Sequence, residues 1–72
     1  MARMVYFIME TVVDENGNYI PCIAVEGERG YHKTNWQWGT DLETAEGCAD
    51  ELNKRMGYSK KESLLIQLGS MR

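Results

Sequence analysis

Two apolar stretches near the start of the chain have the composition of β-strands. Residues 4–13 (MVYFIMETVV) are rich in β-branched and aromatic side chains and contain neither Gly nor Pro. Residues 19–26 (YIPCIAVE) form a second such stretch. Between them, Asn16-Gly17 is typical of a type I′ turn, which needs a positive φ at both central residues. The two stretches therefore predict a β-hairpin.

The register of this hairpin follows from the length of its turn. A two-residue turn at Asn16-Gly17 pairs Val13 with Ile20 and Val12 with Pro21. Because proline has no backbone N–H to donate to a ladder, we expect the second strand to lie at a sheet edge near Pro21.

A third segment, residues 31–38 (YHKTNWQW), alternates between two sets of side chains. One set contains Trp36 and Trp38, and the other contains Lys33, Asn35 and Gln37. This pattern predicts either a third strand or an ordered loop that the two tryptophans anchor.

The pattern then changes from the period of a strand to that of a helix. Thr40-Asp41-Leu42-Glu43 predicts a capping box, with Thr40 at the N-cap and Glu43 reaching back to it. Gly57 supplies the left-handed residue that ends a helix. Apolar side chains recur every three or four residues between these points, at Leu42, Ala45, Ala49, Leu52 and Met56.

A second, shorter helix follows directly. Ser59 and Glu62 form another capping box. The apolar face of this helix consists of Leu64, Leu65, Leu68 and Met71. Residues 1–72 therefore predict one α+β domain in the order β-β-(β)-α-α, an antiparallel hairpin or three-stranded sheet with both helices packed on one face.

Both faces of the predicted sheet are apolar, because side chains alternate along a strand and Glu10 and Thr11 are almost the only polar residues in the paired part. Face one is Val5, Phe7, Met9, Val13, Ile20, Cys22 and Ala24. Face two is Tyr6, Ile8, Val12, Tyr19, Pro21, Ile23 and Val25.

Two short helices can cover only one of these faces, so we expect the other to bind a second copy or another protein. The small Cys22 and Ala24 favour helix packing on face one. Trp36 and Trp38 add the side chains that dominate binding hot spots. The predicted protein interface is therefore Tyr6, Ile8, Val12, Tyr19, Ile23, Val25, Trp36 and Trp38.

The composition limits the environment and the partners. The 72 residues contain only two cysteines, carry a net charge of −3 and begin without the apolar run of a signal peptide. We expect a cytoplasmic protein with free Cys22 and Cys48 thiols, each a small buried hydrophobic side chain. The longest apolar run is far too short for a membrane span, and the acidic balance disfavours nonspecific binding to nucleic acid.

No set of residues predicts catalysis, a metal or a cofactor. His32 has no partner spaced for general-base chemistry, and Cys22 and Cys48 are too scattered in sequence to complete a zinc site with it. The carboxylates of the first helix, Glu43, Glu46 and Asp50, lie on its solvent side. We therefore expect a protein that is not an enzyme.

Gly47 lies inside the first predicted helix, where glycine costs about 1 kcal/mol relative to alanine. The close approach of another backbone, within the fold or across an interface, would account for it. Tolerance of a poor helix former is an equally good explanation.

Residues 53–64 (NKRMGYSKKESL) resemble the junction between the two helices of ribbon-helix-helix repressors. In that family a preceding strand reads DNA bases with alternate polar side chains, a position that Lys33, Asn35 and Gln37 occupy here. The chain departs from the family in its long N-terminal hairpin and its acidic balance. The resemblance implies a dimeric DNA-binding regulator.

The hairpin, the Trp-Gly-Thr-Asp junction and the alanine-containing helix ending in Met-Gly resemble small proteins of bacterial prophages and integrative elements. That resemblance implies an accessory role such as regulation or inhibition of host defence. Our leading hypothesis is a noncatalytic, self-associating protein-binding module, and a DNA-binding regulator is the alternative. The DNA-binding alternative would be favoured if five cations lay close together beside the third strand. These cations are Lys33, Lys54, Arg55, Lys60 and Lys61.

Overall fold

The computed structural model describes residues 2–71 and contains a three-stranded antiparallel sheet followed by two helices. This arrangement confirms the predicted α+β class. Within residues 2–71 no helix has both the length and the apolar character needed to cross a membrane. In chain order the elements are β1 (Met4–Phe7), β2 (Cys22–Val25), β3 (His32–Lys33), α1 (Leu42–Arg55) and α2 (Lys60–Ser70).

The hairpin turn is wider than the sequence predicted. Gly17 has a φ of 82°, but within residues 2–71 no residue other than glycine has a positive φ, so Asn16 does not adopt a type I′ conformation. The side chain of Asp14 instead accepts hydrogen bonds from the backbone N–H groups of Asn16 and Asn18, at 2.9 and 2.8 Å. The loop thus closes between Asp14 and Asn18, and Val13 lies opposite Tyr19 instead of Ile20.

The two strands separate beyond that bridge and pair again further from the turn. A turn in residues 8–12 places the backbone N–H of Val12 3.1 Å from the carbonyl of Met9. Pairing resumes with Phe7 opposite Cys22 and ends with Met4 opposite Val25. The extra residues on the first strand shift the register, yet they leave the side chains of β1 and β2 on the predicted faces.

β2 lies in the centre of the sheet, so the expected edge position near Pro21 was wrong. Pro21 is buried and precedes the first residue of β2, where the missing N–H interrupts no ladder bond. Its carbonyl accepts hydrogen bonds from the backbone and the side chain of Thr34. Only His32–Lys33 forms a strand, and the rest of the 31–38 segment is a loop.

The core lies between face one and the helices. Val5, Phe7, Cys22 and Ala24 are buried there, as predicted, and Ile66 of α2 packs against them. Val12 of the predicted face two also packs against this core, and Val13 of face one is exposed. The turn in residues 8–12 breaks the strict alternation of a strand and explains this exchange.

α1 runs beside the free edge of β1 and is tied to it by one side chain. The amide of Asn53 accepts a hydrogen bond from the backbone N–H of Tyr6 at 2.7 Å and donates one to its carbonyl at 2.9 Å. Asn53 therefore satisfies the two backbone groups that a further strand would otherwise pair.

The helix boundaries lie close to those predicted. The N-cap of α1 is Asp41, whose carboxylate accepts a hydrogen bond from the backbone N–H of Thr44, so the predicted N-cap at Thr40 is wrong by one residue. Gly57, with a φ of 93°, follows the end of α1, and the capping box of Ser59 and Glu62 is present at the start of α2.

Candidate functional site

The second helix turns its leucines away from the core. Two serines and one isoleucine are its buried residues. The four apolar side chains that were predicted to pack on the sheet are between 42% and 61% exposed. We call these four residues the leucine stripe: Leu64, Leu65, Leu68 and Met71.

The rotation of α2 is fixed by contacts at its buried face. The hydroxyl of Ser70 donates to the carbonyl of Gly30, and the backbone N–H of Gly30 donates to the carbonyl of Ser70 at 2.6 Å. Ile66 fills the core between Ser63 and Ser70. Small serines allow the helix to approach the sheet closely, and the leucines are then left on the opposite side.

A cleft of about 560 Å³ separates α1 from α2. Its floor includes Phe7, Ala49 and Ser63, and Leu64 of the leucine stripe forms part of one wall. The other wall carries three carboxylates, which are those of Glu43, Glu46 and Asp50. These acids were predicted to lie on the solvent side of α1, and they are exposed, but they also border this cleft.

Two further features of the cleft concern its lining. Ser63 is 7% exposed, and its hydroxyl has no hydrogen-bond partner in the described part of the chain. Gly47 also borders the cleft, and a Cβ added to it would meet no atom within 4 Å. Residues 2–71 therefore provide no close backbone contact that would explain glycine at position 47. The ammonium of Lys60 lies 3.8 Å from the carboxylate of Asp50 at one end of the cleft.

Face two carries a cluster of three aromatic rings. Tyr6 lies with its ring centre 5.7 Å from that of Trp36 and 6.4 Å from that of Trp38, and the two tryptophans stack at 6.3 Å. The loop is held there because the N–H of Trp38 donates to the carbonyl of Tyr19 at 2.9 Å. Trp36 stays 46% exposed. The other predicted interface residues are partly buried: Tyr6, Ile8, Val12, Tyr19, Ile23, Val25 and Trp38.

The residues of the DNA-binding alternative lie on the third strand and the loop after it. Lys33, Asn35 and Gln37 are exposed, and Lys33 pairs with Cys22 in the ladder. β3 contacts neither helix within residues 2–71, so Lys33 is separated from the cations of α1 and α2. Two of those cations face acids, because Arg55 lies 3.4 Å from Glu51 and Lys60 lies beside Asp50.

The thiols and the histidine are dispersed. Cys22 is buried on face one, and this burial raises the pKa of its thiol. Cys48 is exposed on α1, so the prediction of a buried side chain was wrong there. His32 lies 3.2 Å from a carboxylate oxygen of Glu28 on the surface. Residues 2–71 hold no group of three or more potential metal ligands.

Comparison with protein-family models, with curated proteins and with solved structures finds no match to this chain. The three surfaces described above are therefore what distinguishes one functional hypothesis from another. They are the leucine stripe, the acidic cleft and the aromatic cluster.

Proposed function

We propose that this chain is a noncatalytic protein-binding module that associates with a second copy of itself through the leucine stripe. One observation carries the proposal: α2 buries Ser63 and Ser70 and exposes Leu64, Leu65 and Leu68. A helix that is stable in water normally does the reverse. An apolar surface of this kind marks a place where another molecule binds.

The energy of covering the stripe supports weak association. Complete burial of one such side chain stabilises by about 1.5–3 kcal/mol, so four half-exposed side chains contribute about 3–6 kcal/mol per chain. Two identical chains contribute about twice that, against an association cost of about 4–15 kcal/mol. The most favourable balance is about −8 kcal/mol, so we expect a dimer with a dissociation constant in the micromolar range at the tightest.

The spacing of the stripe favours another helix as the partner. Leu64, Leu68 and Met71 follow one another at intervals of four and three residues, which is the repeat that lets two helices pack side by side. A two-fold axis would place the same surface of α2 on both chains, so each stripe would cover the other. A second copy supplies this partner without any further assumption.

The predicted interface on face two is a competing surface for the same function. Trp36 is its most exposed member, and its partly buried remainder offers less uncovered apolar surface than the stripe does. A DNA-binding regulator remains the alternative function, and the separation of Lys33 from the helix cations weighs against it. An accessory role in a mobile element would suit a small binding module of either kind.

Disulfide crosslinking distinguishes these surfaces. Cys48→Ser removes the exposed native thiol, and Cys22 is buried. In that background we expect Leu68→Cys to form a covalent dimer under mild oxidation, because a two-fold helix pair brings the two copies of position 68 together.

Two further single-cysteine variants complete the experiment. Met56→Cys is the matched control, since Met56 is also an exposed apolar residue of a helical segment and lies outside the stripe. Trp36→Cys reports on face two. If only Trp36→Cys crosslinks, the chain self-associates through face two and not through the leucine stripe. If all three variants crosslink equally, the chains collide without a specific interface.

A further inference from the structure

The cleft between α1 and α2 has an excess of negative charge along one wall. Glu43, Glu46 and Asp50 follow one another at intervals of three and four residues and span two turns of α1, about 10 Å. Lys60 is the one cation that borders the cleft within the described residues, and it faces Asp50 at 3.8 Å. None of the ion pairs within residues 2–71 involves Glu43 or Glu46.

The floor of the cleft offers an unused polar group. Among residues 2–71 the buried Ser63 hydroxyl has no hydrogen-bond partner, which is unfavourable for a buried polar group. Ser63 borders the cleft beside Leu64, so an apolar side chain of α2 lies opposite the carboxylates of α1. A ligand for this site needs cations on one flank and apolar groups on the other.

Glycine at position 47 keeps the cleft open. Gly47 lies in the middle of α1 and its backbone conformation is helical, so nothing in the local geometry requires glycine. Any larger side chain would project from the wall that carries the acids. The absence of a side chain at this point leaves room for a side chain of a partner.

We infer that this cleft binds a basic amphipathic helix of a partner protein, with lysine or arginine side chains on the carboxylates and apolar side chains on Leu64. Cations at positions i, i+3 and i+7 of such a helix match the spacing of Glu43, Glu46 and Asp50. The binding site is distinct from the stripe residues Leu65 and Leu68, which do not border the cleft. Because Leu64 belongs to both the cleft and the stripe, the partner helix and a second copy of the chain would compete for it.

The probe for this inference is a synthetic helical peptide of Leu, Ala and Lys, with lysines at i, i+3 and i+7 beside a leucine row. A matched peptide carries Glu in place of each Lys. Fluorescence anisotropy of the labelled peptides against the full chain measures binding. We expect the lysine peptide to bind, its affinity to fall as salt rises, and the glutamate peptide not to bind.

Two variants test the location. Glu46→Gln with Asp50→Asn should weaken binding about tenfold, whereas Glu10→Gln with Glu15→Gln removes the same charge outside the cleft and should change it by less than about twofold. Gly47→Leu should fill the cleft and abolish binding. Gly69→Leu is its control, because Gly69 is also helical with open space around it but does not border the cleft.

The outcome separates this inference from self-association. Leu65→Lys should abolish the dimer without weakening peptide binding, because it leaves the carboxylates and Leu64 in place. Equal binding of the lysine and glutamate peptides, or equal weakening by the two pairs of carboxylate variants, would overturn the inference. If Gly47→Leu fails to fold, the carboxylate variants still decide, because they alter only exposed side chains.

Discussion

At the scale of single residues, Asn53 has the largest structural role that the sequence did not indicate. It is a polar residue on the buried face of α1, between apolar positions that follow the helical period. Its amide pairs with both backbone groups of Tyr6, which belong to the edge strand. Sequence patterns predict apolar residues at such positions, so only the arrangement of α1 beside β1 explains an asparagine there.

Replacing Asn53 tests this role. Asn53→Ala should lower the free energy of unfolding by about 2–4 kcal/mol, because two partly buried backbone groups of Tyr6 lose their partner. Chemical denaturation measures the change. Asn35→Ala is the matched control, since Asn35 is exposed, and it should cost less than about 0.5 kcal/mol. A loss below about 0.5 kcal/mol for Asn53→Ala would show that water replaces the amide.

Carboxylates at the turns and helix starts predict acid sensitivity. Hydrogen bonds from Ser59 lower the pKa of Glu62, and those from Asn18 lower the pKa of Asp14. A depressed folded-state pKa stabilises the fold above the unfolded value and loses that effect as the pH falls through the folded value. The free energy of unfolding should therefore decrease below about pH 5.

The variant Glu62→Gln tests how much of this acid sensitivity is caused by the carboxylate of Glu62. It should be less stable than the wild-type chain at pH 7 and should lose less stability between pH 5 and pH 3. Denaturation curves at the three pH values measure both effects. Parallel pH profiles for the two proteins would contradict the assignment to Glu62.

At the scale of elements, the sequence predicted which segments become helices and strands better than how they are oriented. The faces of β1 and β2 were predictable because alternation survives a shift of register by an even number of residues, and Phe7 lies opposite Cys22, four residues from the predicted position 26. The turn was not predictable in the same way. The side chain of Asp14 accepts hydrogen bonds from two backbone N–H groups, and these bonds favour a wider loop over the Asn16-Gly17 type I′ turn. Local side-chain hydrogen bonds of this kind compete with regular pairing.

The orientation of α2 was the main error at this scale. Hydrophobic periodicity predicts that Leu64, Leu65 and Leu68 face the core. This prediction fails when the apolar face of a helix lies on the outside of the fold. The sequence does contain a pattern that matches the observed orientation. Ser63, Ile66 and Ser70 recur at helical intervals, and the small serines permit close packing against the sheet. The acidic cleft could not be predicted, because it depends on the placement of α1 against α2.

Two truncations on the same helix test the orientation. Ile66→Ala should lower the free energy of unfolding by about 2–4 kcal/mol, because it leaves a cavity in the core. Leu65→Ala removes a similar side chain from an exposed position and should cost less than about 0.5 kcal/mol at a concentration where the chain is monomeric. Equal losses for the two variants would contradict the outward orientation of the stripe.

At the scale of the whole molecule, the chain has little core for its size and a large apolar surface outside it. Eight apolar residues among residues 2–71 are buried, and most of them are small: Val5, Phe7, Pro21, Cys22, Ala24, Ala45, Ala49 and Ile66. A domain this short is marginally stable by itself. Association through the stripe would add apolar burial that the fold lacks, so stability should rise with protein concentration.

Sedimentation equilibrium over a range of concentrations tests the central claim most directly. We predict that the wild-type chain of 8.3 kDa approaches twice its mass as the concentration rises. Leu65→Lys with Leu68→Lys should stay at the monomer mass and remain folded by circular dichroism, whereas Met56→Lys should dimerise normally. A wild-type chain that stays monomeric at millimolar concentration, or a dimer that persists in the stripe variant, would contradict the proposed interface.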